Sequence, residues 1–283
     1  MFLDTNYQLG GLNLAAVEFG DKKTADVSVV FLHGWLDNSA SFFSVMEALS
    51  QKSSRIHGCA IDFPGHGLSD HKSPSSYYPF HDYIDDVFRF LTILSPNRLV
   101  LVGHSLGALV ASCYSAAFPE QVAALVQIEG AGPLSESTTN TVDRLCQGII
   151  SRQRLRRKPQ RYFASFEEMV LRRAEKNSLS LEQVSPLVKR AVIHDEKGWR
   201  WRHDVALQSD SLYRMSEQHA EQINQAIQCP KLTILGDKGF EYLRKSQSVS
   251  LNEQCVTVAG GHHCHLQQPV RVSDLIFGLV NKI

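Results

Sequence analysis

The chain has 283 residues, long for a single domain but within reach of one α/β domain that carries an insertion. Its hydrophobic fraction of 43% supports a sizeable buried core, and 29 Lys plus Arg balance 29 Asp plus Glu. That neutrality gives no electrostatic reason to expect nucleic acid or a membrane as partner.

The amino terminus has no basic start followed by an apolar run, and no stretch approaches the roughly 18 uninterrupted apolar residues of a membrane span. Six cysteines (59, 113, 146, 229, 255, 264) are scattered without a C-x-x-C pair. Free, mostly buried thiols in a reducing compartment are expected, and with them a cytoplasmic protein.

In chain order, Tyr7–Gly10 and Leu12–Phe19 read as two strands around a glycine turn. Short apolar runs ending in glycine-containing turns follow at Val27–Leu32, Arg55–Ile61, Arg98–Val102, Ala123–Ile128, Lys231–Leu235 and Gln254–Val258. Near-continuous Val, Ile and Leu of this kind suit strands buried on both faces of a parallel sheet. Helical segments alternate with them at Ser41–Ser50, Tyr78–Leu94, Leu106–Phe118 and Leu266–Val280, which defines an α/β fold. The rhythm breaks after Pro133. Residues 134–228 are polar, helical in period and without strand-like runs, so a helical cap inserted between two strands of a 1–133 and 229–283 core is expected.

Gly103-His104-Ser105-Leu106-Gly107 matches G-x-S-x-G, a weak signal by itself. Here the apolar run Leu99–Val102 precedes it and a helix-forming run follows Ser105, the strand, sharp turn and helix that a nucleophile elbow requires. Flanking glycines let the two arms of a strained turn pass closely, so the hydroxyl projects away from the backbone. A serine that merely caps a helix is the simpler alternative, and it does not explain both glycines.

Three further motifs carry a family resemblance. The segment Val30–Asn38, with His33-Gly34-Trp35, resembles the strand and His-Gly turn before the oxyanion loop of α/β-hydrolases. Asp62-Phe63-Pro64-Gly65-His66-Gly67-Leu68-Ser69 is similar to their D-x-P-G-x-G-x-S turn. Gly261-His262-His263-Cys264-His265-Leu266-Gln267-Gln268-Pro269 is similar to their C-terminal G-H-x-x-H-L-x-x-P signature. The resemblance spans nearly the whole chain outside the insertion, and Gly198–Asp204 is similar to the serine hydrolase-like subgroup. It implies a mostly parallel eight-stranded sheet with flanking helices and a helical cap. It also implies Ser105 as nucleophile, His262 as base, and an oxyanion hole from the backbone N–H groups of Trp35 and Leu106.

The chemistry of the residues agrees, because a serine hydroxyl attacks well only when a base takes its proton. His262 follows a strand and a glycine pair, where a loop can reach the elbow; His263 and His265 are the rivals. A metal site built from His262, His263, Cys264 and His265 lacks an accompanying carboxylate at ligand spacing. The acid departs from the pattern. Most of the family carries an aspartate at the third residue after the glycine closing the penultimate strand, and here that residue is Gly239. Asp237 lies beside it, and Glu129, ending the strand after the elbow helix, is the preferred alternative.

The expected activity is hydrolysis of a small carboxylic ester or thioester through an acyl-enzyme, with no metal or organic cofactor, by a monomer or homodimer. Cleavage of a carbon–carbon bond or a lactone is the alternative within the fold. The glycine at 239 favours a third possibility, a non-catalytic binding protein. Six aromatic residues of the insertion (Tyr162, Phe163, Phe166, Trp199, Trp201, Tyr213) suit either an apolar pocket or the cap's own core. The basic run Arg152–Lys158 reads as a solvated helix face.

Overall fold

The computed structural model describes residues 2–245 and 253–283. Its eight-stranded sheet consists of β1 (Leu3–Gln8), β2 (Asn13–Phe19), β3 (Val27–Leu32), β4 (Ile56–Ile61), β5 (Leu99–His104), β6 (Ala124–Ile128), β7 (Lys231–Gly236) and β8 (Glu253–Val258). The strands lie in the order β1-β2-β4-β3-β5-β6-β7-β8. β2 pairs antiparallel with β1 and β4, and every other pairing is parallel.

The apolar runs of β3 to β6 are buried at every residue, as a sheet covered on both faces requires. Alternation then divides them between two cores. Val29, Phe31, Val100 and Val102 pack against α1 (Phe43–Ser50) and the C-terminal helix Pro269–Val280. Val30, Leu32, Leu99 and Leu101 pack against α2 (Phe80–Leu94) and α3 (Leu106–Ala117). Each such side chain, fully buried, contributes about 1.5–3 kcal/mol.

Two expected elements shift by three residues or more. The first strand is Leu3–Gln8 rather than Tyr7–Gly10; it is an edge strand with no buried residue, so it has no apolar run to mark it. The final helix begins at Pro269, because proline disfavours helical backbone at the residue before it, and Gln268 sits at φ −131°. Cys264–Gln267 forms a separate helical turn.

Between β6 and β7 the chain builds α4 (Thr141–Arg156), α5 (Phe166–Asn177), α6 (Leu181–Ala191) and α7 (Glu217–Ala226). Contrary to the expectation of no strands, this segment also holds a hairpin pairing Val192–Asp195 with Gly198–Trp201. Ser135–Glu136 and Met215–Ser216 form a further short parallel pair. Strands of two to four residues are too short to show alternation in sequence. The segment has its own apolar cluster, around Phe163, Met169, Val184 and Val188. Polar ties fix it to the sheet domain: Arg190 pairs with the buried Asp62 at 2.8 Å, Asn38 donates to the Leu187 carbonyl at 2.9 Å, and Gln183 to that of Leu266 at 3.2 Å. Among the described residues, no helix is long and apolar enough to cross a membrane.

Candidate active site

β5 runs directly into Ser105, whose backbone takes φ 49° and ψ −117°. Such a conformation costs a residue with a side chain roughly 1–3 kcal/mol. The turn closes because Gly107 presses against the end of β3, where a Cβ would overlap the Leu32 carbonyl oxygen. The Ser105 side chain makes no capping bond to α3, so the capping alternative is not its role here. Ser105 lines a cavity of about 350 Å³ instead.

The turn after β3 faces the elbow. The Asp37 N–H donates to the Gly34 carbonyl at 3.0 Å, and Leu36 takes φ 60°. Among the described residues, neither the Trp35 nor the Leu106 amide donates to any backbone carbonyl. His33 fastens this turn: its Nδ1–H donates to the Gly34 carbonyl at 2.7 Å, and its Nε2 accepts the Phe63 N–H at 2.9 Å. Burial lowers its pKa and keeps it neutral, as those two roles require. The Trp35 indole donates to the Leu207 carbonyl at 2.9 Å and lines the cavity.

His262 and Glu129 come together. Glu129 leaves β6 with φ 48° and turns its carboxylate toward the end of β7 and the segment beyond it. There Oε1 accepts the Gly236 N–H at 2.7 Å, while Oε2 accepts the Phe240 N–H at 3.0 Å and the His262 Nδ1–H at 3.3 Å. Burial alone would raise the Glu129 pKa. The bonds from His262, Phe240 and Gly236 outweigh it and hold the carboxyl below its usual value. Gly239 explains the departure from the family pattern, since a Cβ there would overlap the Glu129 carboxylate. Asp237 is not brought to His262; its carboxylate accepts the Gly260 N–H at 2.8 Å and shapes the loop from the other side.

The rival histidines point elsewhere. His263 is buried and donates through Nε2 to Asp37 at 3.2 Å. His265 packs between Phe42 and His104 with ring centroids 5.2 and 4.2 Å away, and burial pushes its pKa down to about 3. The four C-terminal candidates for a metal therefore diverge. A different trio, Asp37, His104 and His263, has donor atoms within 4.8 Å of one another. Arg173 already pairs with Asp37, which supplies the balancing positive charge without an ion.

Of the six aromatic residues noted in the insertion, Phe163, Phe166, Trp199 and Trp201 belong to its own core. Tyr213 lines the cavity, together with Tyr78, Phe80, Tyr83 and Leu109 from the sheet domain. Sequence reading named Tyr213 as a possible pocket residue but missed Tyr78, Phe80, Tyr83 and Leu109, because an apolar residue facing a cavity has the same periodicity as one facing a core. It also missed Asp37, His104 and Arg173, whose meeting depends on the tertiary fold. Arg154, Arg156, Arg157 and Lys158 of the basic run are exposed.

An elbow serine, a histidine on a C-terminal loop and a carboxylate on a strand end, set on this sheet order, define an α/β-hydrolase architecture. Residues 27–266 match the model of the alpha/beta hydrolase fold family, and the chain belongs to that family. It is 28% identical over 262 residues to a serine hydrolase-like protein of Danio rerio, covering 88% of this chain and 79% of that protein. It is also 28% identical over 270 residues to serine hydrolase-like protein 2 of Homo sapiens, covering 88% and 85%. Among solved structures, a hypothetical protein from Pseudomonas aeruginosa superposes with a TM-score of 0.85 at 28% identity, covering 97% of this chain and 99% of that one.

Two outcomes follow from the site's geometry. Gly107→Ala must displace backbone rather than a flexible side chain, so it should cost about 3 kcal/mol or more. Thermal unfolding should show this as a midpoint lowered by about 6–12 °C, or as loss of folded protein. A carboxylate held below its usual pKa of about 4.3 stabilises the fold above that pH, and the contribution is lost as pH falls through the folded value. The stability advantage of the wild type over Glu129→Gln, read from urea midpoints, should shrink as pH is lowered below about 4.

Proposed function

We propose that this chain is a serine hydrolase cleaving a small carboxylic ester or thioester through an acyl-enzyme. The observation that carries this reading is the Glu129–His262 contact, made in the room left by Gly239. Ser105 attacks the carbonyl carbon as its proton passes to His262 Nε2, which is free to take it because Nδ1–H is committed to Glu129. The Trp35 and Leu106 amides hold the resulting oxyanion, each typically worth about 2.7–4 kcal/mol of the barrier.

The C–O or C–S bond breaks as His262 returns the proton to the leaving group. Water, deprotonated by the same histidine, then releases the acid and restores Ser105. These steps call on side chains and backbone alone.

The cavity of about 350 Å³ and its aromatic lining support a compact acyl group, and residues 134–228 act as the cap that selects it. Six unpaired cysteines, four of them buried, support a cytoplasmic setting. The binding-protein reading rested on a missing acid at 239, and Glu129 removes that motive.

Treatment with a fluorophosphonate followed by intact-mass measurement tests the proposal. One adduct is expected on the wild type and none on Ser105→Ala; folded wild type without an adduct would sink the reading. With an ester substrate, Glu129→Gln should lower kcat by about 10⁴-fold, the scale set by a mis-oriented imidazole. Asp237→Asn keeps an oxygen for the Gly260 N–H and should stay within about threefold of wild type. The reverse result would transfer the acid role to Asp237.

A further inference from the structure

Asp37 stands where four segments meet. It follows the His-Gly turn and is 3% exposed. One carboxylate oxygen takes the Arg173 guanidinium from α5; the other accepts the His263 Nε2–H at 3.2 Å and lies 3.6 Å from His104 Nδ1. One turn along α5, Asn177 approaches the other nitrogen of His263 at 3.5 Å. His104, the residue before Ser105, donates Nε2–H to the main-chain carbonyl of His262 at 2.8 Å. The backbone bearing the candidate base is thus held from beneath by the elbow, and its next residue is held by Asp37.

We propose that Arg173 and Asp37 form a positioning relay through which helix α5 of the insertion sets the loop carrying His262. The proposal rests on the hydrolase reading of this site. Asp37 and Arg173 are positioning residues, and α5 is a fixed part of the reaction centre rather than a lid that swings clear of it.

A simpler account makes Arg173–Asp37 structural glue. Desolvation consumes most of the Coulombic gain of a buried ion pair, so such a pair is weak evidence for stability. The fold supplies its own control in Arg190–Asp62, which also joins the insertion to the sheet domain, with side chains 9% and 0% exposed. Asp62 holds the Ser39 and Leu68 amides and touches neither His262 nor its neighbours in the loop. Losing either arginine removes a buried ion pair between the insertion and the sheet domain, and Arg190 also gives up Asp4 at 2.8 Å, but only the Arg173 pair adjoins the base.

The test compares Arg173→Gln, Arg173→Lys and Arg190→Gln in the full chain, with ester kinetics well below the unfolding temperature. Arg173→Gln should lower kcat about 10–100-fold, the penalty of misplacing a catalytic group by about 1 Å, with KM changed less than about twofold. Arg173→Lys should recover part of that loss. Arg190→Gln should lower the thermal midpoint comparably while kcat stays within about threefold of wild type. Equal kcat losses from the two glutamine variants, or a midpoint shift alone from Arg173→Gln, would overturn the relay.

If the wild type neither turns over esters nor takes the fluorophosphonate, it is the hydrolase reading that fails. Hydrogen exchange then decides the relay. The Cys264 and Leu266 amides, bonded to the Gly261 and His263 carbonyls, should exchange faster in Arg173→Gln but not in Arg190→Gln. Unchanged exchange in Arg173→Gln rejects it.

Discussion

Glu129 leaves β6 with a left-handed backbone, and from there one buried carboxylate reaches the loops that follow β7 and β8, which are also joined by the Lys238 N–H donating to the Gly260 carbonyl at 2.8 Å. It accepts the Gly236 amide at the end of β7, the Phe240 amide beyond it, and the His262 Nδ1–H on the loop after β8. A buried carboxylate left without such donors would be costly or would take up a proton. The three donors therefore define where both loops must sit. His262 also packs against the Phe240 and His104 rings, with centroids 4.3 and 4.8 Å away.

Much of the sheet domain was legible in the sequence, because its strands are buried on both faces and its turns carry glycine and proline in fixed positions. Val27–Leu32 and Lys231–Leu235 could be placed almost to the residue for that reason. The edge strand Leu3–Gln8 could not, since it buries none of its residues and has no apolar pattern to read. Ser105, His262 and the choice between Glu129 and Asp237 could be reached from local motifs. Asp37 and Arg173 could not: they lie 136 residues apart, and nothing in the sequence around either requires the other.

Two kinds of interaction divide the labour in the insertion. Phe163, Met169, Val184 and Val188 form a core that holds the segment together by burial, which is strong but indifferent to direction. Arg173 and Arg190 add little net free energy once their desolvation is counted, yet each accepts few geometries. A segment attached by apolar contact alone could slide over the sheet domain. These two guanidiniums, together with the Asn38 and Gln183 amides, give it a register.

The position of the carboxylate proposed as the acid shows how a motif can be absent from the sequence while its place in space is filled. β6 and β7 are parallel neighbours, with Ile128 level with Ile234. Residues just beyond either strand therefore project over the same stretch of the sheet's carboxyl edge. A carboxylate from the β7 side needs a side chain at 239; one from the β6 side needs that same volume empty. Glycine at 239 and glutamate at 129 are then two halves of one arrangement, and neither is informative alone. A glycine that looks like a lost acid when read along the chain is, read across the sheet, the space in which Glu129 meets His262.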